Sequence, residues 1–148
     1  MRKIFIDTDA LVALNDSSDL LHKKALKILE KISRFGFVSF LSTNVLLETL
    51  TIISQKMGKK QAILLLEELR SGKYTIIHPN EKLIFVTEEI FKSIKSKNVS
   101  YSDCLSFAVA GACGIEWVFS FDVHFKKQGF KRFGIERVET EKLYKLQK

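Results

Sequence analysis

Five short apolar runs, separated by segments of helical period, constrain this chain more than any other feature of its sequence. They are Lys3 to Ile6, Phe37 to Leu41, Tyr74 to Ile77, Trp117 to Phe121 and Phe133 to Val138. None is long enough to alternate cleanly between apolar and polar residues. Strands of this kind belong to a parallel sheet covered on both faces. From Asp19 through Arg34, Leu20, Leu21, Ala25, Ile28, Leu29 and Ile32 recur at helical spacing, with lysines on the other face. Ala10 to Leu14 reads as a helical turn or two. Ser42 or Thr43 caps a helix that runs to Met57, and Lys59 to Arg70 and Glu81 to Lys97 read as further helices. Ser102 is expected to cap a small-residue helix from Asp103 to about Cys113. Strands alternating with helices predict an α/β fold with one parallel sheet and right-handed crossovers.

A length of 148 residues suits one domain, 1–148, with a single core. Twelve Phe and one Pro argue against disorder. No apolar run approaches the ~20 residues of a membrane span. Met1-Arg2-Lys3 leads into only a few apolar residues before Asp7, too few for a secretory signal. No membrane association and a cytoplasmic location are the expectations. Cys104 and Cys113, if on one helix, point to opposite faces and form no zinc or redox motif. The formal charge of +7 favours a polyanionic partner without specifying one. Part of it follows Asp122, where Lys126, Lys127, Lys131 and Arg132 are candidates for a basic rim; a solvated surface is the alternative.

Four acids stand out by position. Asp7 and Asp122 each follow an apolar strand, and the carboxyl ends of parallel strands are where such sheets bind ligands. Asp103 opens a helix, where the macrodipole favours an anion. Glu48 sits among Val45, Leu46, Leu47 and Leu50, and a buried carboxylate there needs a cation, a proton or a donor. Acids converging on one sheet edge repel one another. A hard divalent ion, Mg²⁺ or Mn²⁺, relieves that repulsion and suits oxygen ligands. Such a site activates water against a phosphodiester, which is the chemistry of a nuclease. The alternative readings are structural: caps for Asp7 and Asp103, a turn for Asp122 and a solvent-facing helix edge for Glu48.

Ile4-Phe5-Ile6-Asp7-Thr8-Asp9-Ala10-Leu11 resembles the opening strand and first acid of PIN domains. Ser42-Thr43-Asn44-Val45-Leu46-Leu47-Glu48 is similar to their helix with an internal glutamate, and Tyr101-Ser102-Asp103-Cys104-Leu105-Ser106-Phe107-Ala108 to the helix carrying the third acid. Phe119-Ser120-Phe121-Asp122-Val123-His124-Phe125, followed by Gly129-Phe130, resembles the last strand and its acid. The resemblance covers nearly the whole chain and is nearest to the small VapC-type toxins of toxin–antitoxin pairs. It implies a three-layer α/β/α sandwich with a mostly parallel sheet, metal-dependent RNA cleavage, a homodimer and a cognate antitoxin. It makes Asp7 and Asp103 principal metal ligands, completed by Glu48 and Asp122. It also suggests supporting places for Ser120, for Asn44 one turn before Glu48, and for Asp9, which a turn or cap explains equally well. Val123 departs from a pattern that often has a charged residue there. His124 reads as packing or capping.

Other classes remain on the sequence alone. A standalone RNA-processing or decay nuclease has the same residues. A catalytically silent module binding RNA or protein is disfavoured because all four acids are present. An Asp-nucleophile phosphatase would use Asp7-Thr8-Asp9 after the first strand but needs an adjacent acidic pair near the last strand, which is missing.

Overall fold

The computed structural model describes residues 1–146, with 138 and 139 entering only as backbone. The elements follow in the order β1 (Arg2–Ile6), α1 (Thr8–Asn15), α2 (His22–Arg34), β2 (Phe37–Ser42), α3 (Thr43–Met57), α4 (Lys59–Leu69), β3 (Tyr74–Ile77), α5 (Glu81–Ser93), α6 (Tyr101–Ala112), β4 (Trp117–Phe119), α7 (Val123–Lys127), β5 (Lys131–Arg132) and α8 (Arg137–Lys145). All strand pairs are parallel, in the order β3-β2-β1-β4-β5. The chain builds outward from β1 to β3, then crosses back to lay β4 on the other side of β1. The gap this reversal leaves at the carboxyl ends of β1 and β4 is the topological switch point, where open α/β sheets bind ligands.

Both faces of the sheet are covered, as the unalternating strands require. Ile4, Phe5 and Ile6 are all buried although successive side chains point to opposite faces. On one face Phe5 meets Phe125 of α7, which meets Phe107 of α6 edge to face. On the other, Phe37 and Trp117 pack on Phe133, which meets Phe35 at the end of α2, and Phe35 meets Tyr144 of α8. Much of the aromatic content therefore serves as core, and the layers are helix, sheet, helix. Cys104 is buried in α6, Cys113 caps that helix, and the two thiols are free.

Several boundaries differ from the sequence reading. The fifth strand is Lys131–Arg132 rather than Phe133 to Val138: Gly134 turns the chain at φ +77 and α8 starts at Arg137. β4 ends at Phe119, because Ser120 and Phe121 leave the ladder to bond the acids of β1. α5 stops at Ser93 rather than Lys97. α6 starts two residues earlier than expected, since Ser100 and not Ser102 is its cap.

Gly134 has both a conformational and a steric reason to be glycine. Its φ is positive, and an added Cβ would lie 2.8 Å from Cγ1 of buried Ile28. Left-handed backbone costs a side chain roughly 1–2 kcal/mol, and crowding a packed core adds a similar amount. Gly134→Ala is expected to lower stability by about 2–3 kcal/mol, read as a fall of several degrees in a thermal melt. An unchanged melt would show that the α2–α8 contact yields freely.

Candidate active site at the switch point

Asp7, Asp9, Glu48, Asp103 and Asp122 line one cavity of about 570 Å³ at the carboxyl end of β1 and β4. Asp7 is carried there by the buried end of β1, and its backbone N–H donates to Phe119 O at 3.0 Å. It occupies the N-cap position of α1 but its side chain makes no capping bond, so the capping alternative fails. Instead Ser120 Oγ donates to Asp7 Oδ2 at 2.8 Å. Asp9, in the first turn of α1, accepts from Phe121 N at 3.0 Å through Oδ2, while its buried Oδ1 has no hydrogen-bond partner among the described residues.

Burial raises both acids. Desolvation pushes the Asp7 carboxyl well above the usual carboxylate range, with the charge of Asp9 and then Asp103 adding to it against the Ser120 hydroxyl. Asp9 is raised to about 6, chiefly by burial, with the Phe121 and Ala10 N–H groups opposing it and the charge of Asp122 adding to it.

The other three acids differ from one another. Glu48 is exposed, not buried: α3 turns its apolar residues Val45, Leu46 and Ile53 inward and leaves Glu48 on the cavity side, where Thr8 Oγ1 donates to Oε2 at 2.9 Å. Asp103 is third in α6 and completes a capping box, accepting from Ser100 N at 2.8 Å through Oδ2. Asp122 caps α7 and accepts from His124 N at 2.9 Å through Oδ1, which also meets His124 Nδ1 at 2.7 Å. Asp103 and Asp122 therefore do what the structural readings expected and also line the cavity.

Three expected neighbours, Asn44, Arg132 and Lys131, are not among the residues that line it. Asn44 is buried and points away, donating to Ser102 O, Ser102 Oγ and Ser106 Oγ and accepting from Ser42 Oγ. It ties α3 to α6, and so holds the helices of Glu48 and Asp103 in register. Arg132 is not a rim residue either: its guanidinium pairs with Glu136 and donates to Phe121 O at 2.9 Å, nearly buried. Lys131 stands over Trp117 and pairs with Glu116, in register with the start of β4 rather than its end. Lys126 and Lys127 remain exposed on α7.

Sequence reasoning missed two lining residues. Asp19 follows α1 and accepts from Leu21 N. Lys56 is the only cation among the lining residues, held 3.4 Å from Asp16. Its signal was present: Glu48, Ile52, Gln55 and Lys56 fall at i, i+4, i+7 and i+8, one face of α3.

The donors fit a hard divalent ion in kind and line one cavity. They are oxygens only, Asp9 Oδ1 is a buried acceptor without a donor, and Asp7 lies buried between two like charges. Among the described residues no three acidic, His or Cys side chains stand close enough to enclose an ion as they are oriented. Glu48, Asp103 and Asp122 each hold a local partner, so binding would require them to swing inward.

The PIN domain family matches residues 4–131. This chain belongs to the PIN domain family. It is 28% identical over 127 residues to the 23S rRNA-specific endonuclease VapC20 of Mycobacterium tuberculosis, across 86% of this chain and 95% of that protein. The crystal structure of VapC20, described as a sarcin-ricin loop cleaving toxin, matches with a TM-score of 0.79 and 26% identity, covering 86% of this chain and 96% of that one. Two further structures share the fold alone. VapBC2 from Rickettsia felis, bound to a promoter DNA fragment, matches with a TM-score of 0.62 and 19% identity over 84% of this chain and 92% of that chain. FitAcB from Neisseria gonorrhoeae matches with 0.66 and 16% identity over 88% and 96%.

The raised acids of this PIN domain make a signed prediction for the metal-free protein. Asp7 and Asp9 hold their protons more tightly in the fold than an ordinary aspartate does, whose carboxyl titrates at 3.8. The native state therefore binds more protons than the unfolded one above about pH 4, and the stability these acids allow is lost as pH rises through about 6. Asp9→Asn removes one of them and keeps an oxygen for Phe121 N. In chelator, its melting temperature should gain on wild type between pH 4.5 and 7.5. A constant difference across that range would mean that Asp9 titrates normally.

Proposed function

We propose that the chain is a divalent-metal-dependent endoribonuclease of the VapC type, the toxin of a toxin–antitoxin pair. The observation that carries this reading is the gathering of Asp7, Asp9, Glu48, Asp103 and Asp122 around one cavity at the switch point of a PIN domain. The likeness to VapC20 makes ribosomal RNA the first substrate to try; a cognate antitoxin protein, a homodimer and action in the cytoplasm are part of the same proposal. No helix among the described residues is long and apolar enough to cross a membrane.

Mg²⁺ or Mn²⁺, held by Asp7, Asp103, Glu48 and Asp122, would supply an activated water at neutral pH and charge neutralisation on the scissile phosphate. The chain's own residues do the rest. Ser120 fixes which oxygen of Asp7 faces the cavity by donating to the other. Asp9 holds the Phe121 amide, and through it the approach of Asp122 to the same edge. Glu48, solvent-exposed and tethered only by Thr8, is placed to accept a proton from the attacking water.

Total RNA incubated with the protein should be cut only when Mg²⁺ or Mn²⁺ is present, and mapping the new ends gives the target. Asp7→Asn should abolish cutting with the fold retained, and Glu48→Gln should slow it by about 10²–10⁴-fold, as the loss of a proton acceptor does. Cleavage that persists in both variants would place the chemistry elsewhere. Turnover of a phosphomonoester through an aspartyl-phosphate would replace the nuclease reading with a phosphatase.

A further inference from the structure

We infer that the groove between α2 and α8 is a docking track for the phosphate backbone of single-stranded RNA, which it leads towards the acidic cavity. The inference rests on the ribonuclease reading for the fate of the RNA, but not for its binding.

An acidic cavity poses a difficulty for a nuclease. Its lining offers six carboxylates and one lysine, which already faces Asp16. Such a cavity repels a polyanion, so attraction must come from a neighbouring surface. Of the basic rim expected after Asp122, Lys131 and Arg132 are paired with Glu116 and Glu136, which leaves Lys126 and Lys127 on the short α7.

The α2–α8 groove has the needed character. It is a cavity of about 420 Å³ whose lining includes Lys24, Lys27, Lys31 and Arg137, with Glu141 as its one carboxylate among the described residues. None of the four cations is in a salt bridge among the described residues. The lysines fall at i, i+3 and i+7, one stripe along α2 that extends about 10 Å at 1.5 Å per residue. Like charges at such spacing repel one another, and within the stripe only Lys31, in the last turn of α2, gains from the helix dipole.

The groove also points the right way. α2 leaves the carboxyl edge of the sheet and returns the chain to the start of β2, so Lys24 lies nearest the acids. Lys24 Nζ stands 6.0 Å over the ring of Phe121, whose backbone N–H bonds Asp9 and which precedes Asp122. Tyr144 of α8, half-exposed and braced edge-on by Phe35 at 4.7 Å, gives the groove an aromatic wall. A basic track with an aromatic ring is how proteins hold unpaired strands without reading their sequence.

The test is binding of a fluorescent single-stranded RNA to the full chain in chelator, across a salt series. Lys27→Gln with Lys31→Gln should weaken binding about tenfold or more near physiological salt. It should also reduce the slope of log K against log salt by about 1.4, at roughly 0.7 per phosphate contact. Arg137→Gln, on the other wall, should reduce the slope by about 0.7 by the same rule. The control pair Lys95→Gln with Lys97→Gln removes the same charge from an exposed loop and should change neither quantity. Equal losses in the groove and control pairs, or no RNA binding by the wild type, overturn the inference. So does tight binding of a polyglutamate peptide that the groove variants alone abolish while RNA binding persists, which would assign the groove to an acidic protein segment. Wild type that binds RNA through the groove but cuts none would sink the nuclease reading and leave the track standing.

Discussion

The hydrogen bonds that cross from the exit of β4 to the acids of β1 are what the rest of this structure depends on. Ser120 Oγ and Phe121 N donate to Asp7 and Asp9 where the two central strands diverge. Without them, two carboxylates desolvated side by side would be left to the Thr8 and Ala10 backbone N–H groups, and buried, poorly paired acids are among the most costly groups a fold can carry. The donors come from residues released from the ladder, which is why β4 ends at Phe119. Arg132 then secures the other side of the same peptide chain by donating to Phe121 O, with Glu136 balancing its charge. Phe121 is thus held at its N–H, its carbonyl and its ring, and Asp122 inherits its position from that anchoring.

A second, largely buried connection sets the opposite wall. Asn44 donates to Ser102 and Ser106 and accepts from Ser42, joining the first turn of α3 to the first turns of α6. Buried amides are tolerated when their partners are present, and a satisfied network rigidifies what it joins. Glu48 lies one turn beyond Asn44 and Asp103 next to Ser102. The geometry between these acids is therefore fixed by a residue that never touches the cavity. Removing the amide would take a hydrogen-bond partner from four groups, Ser42 Oγ, Ser102 O, Ser102 Oγ and Ser106 Oγ, which loosens two helices rather than one contact.

The parallel sheet, both helical layers and the convergence of the acids were legible because each follows from local pattern plus one topological rule. Unalternating strands must be covered twice, and acids at strand ends must meet at the switch point. What was illegible depended on partners distant in sequence. Asn44 and Glu48 share a helical stripe, yet one bonds α6 and the other faces solvent, because the cavity wall bisects that stripe. Arg132 reads as a free cation until Glu136 folds back onto it through the turn at Gly134. Asp9 looked like a cap because its real donor, Phe121 N, lies more than a hundred residues away. The Ser100 cap was missed because Ser102 satisfies the same local pattern two residues later, and only the fold decides between them.

The distribution of charge follows from the conflict between holding a cation and binding a polyanion. A net charge of +7 spread evenly would weaken any acidic cluster by screening it, and one gathered at the cluster would neutralise it. The chain separates the two signs across Phe121. Its backbone serves the acids on one side, and its ring underlies Lys24 at the head of the basic groove on the other. Salt bridges absorb the cations of β5, while Lys24, Lys27, Lys31 and Arg137, in no salt bridge among the described residues, gather along the groove between α2 and α8. A single aromatic residue thus marks the boundary between a surface that attracts phosphate and a cavity built to repel everything except a cation and what a cation can hold.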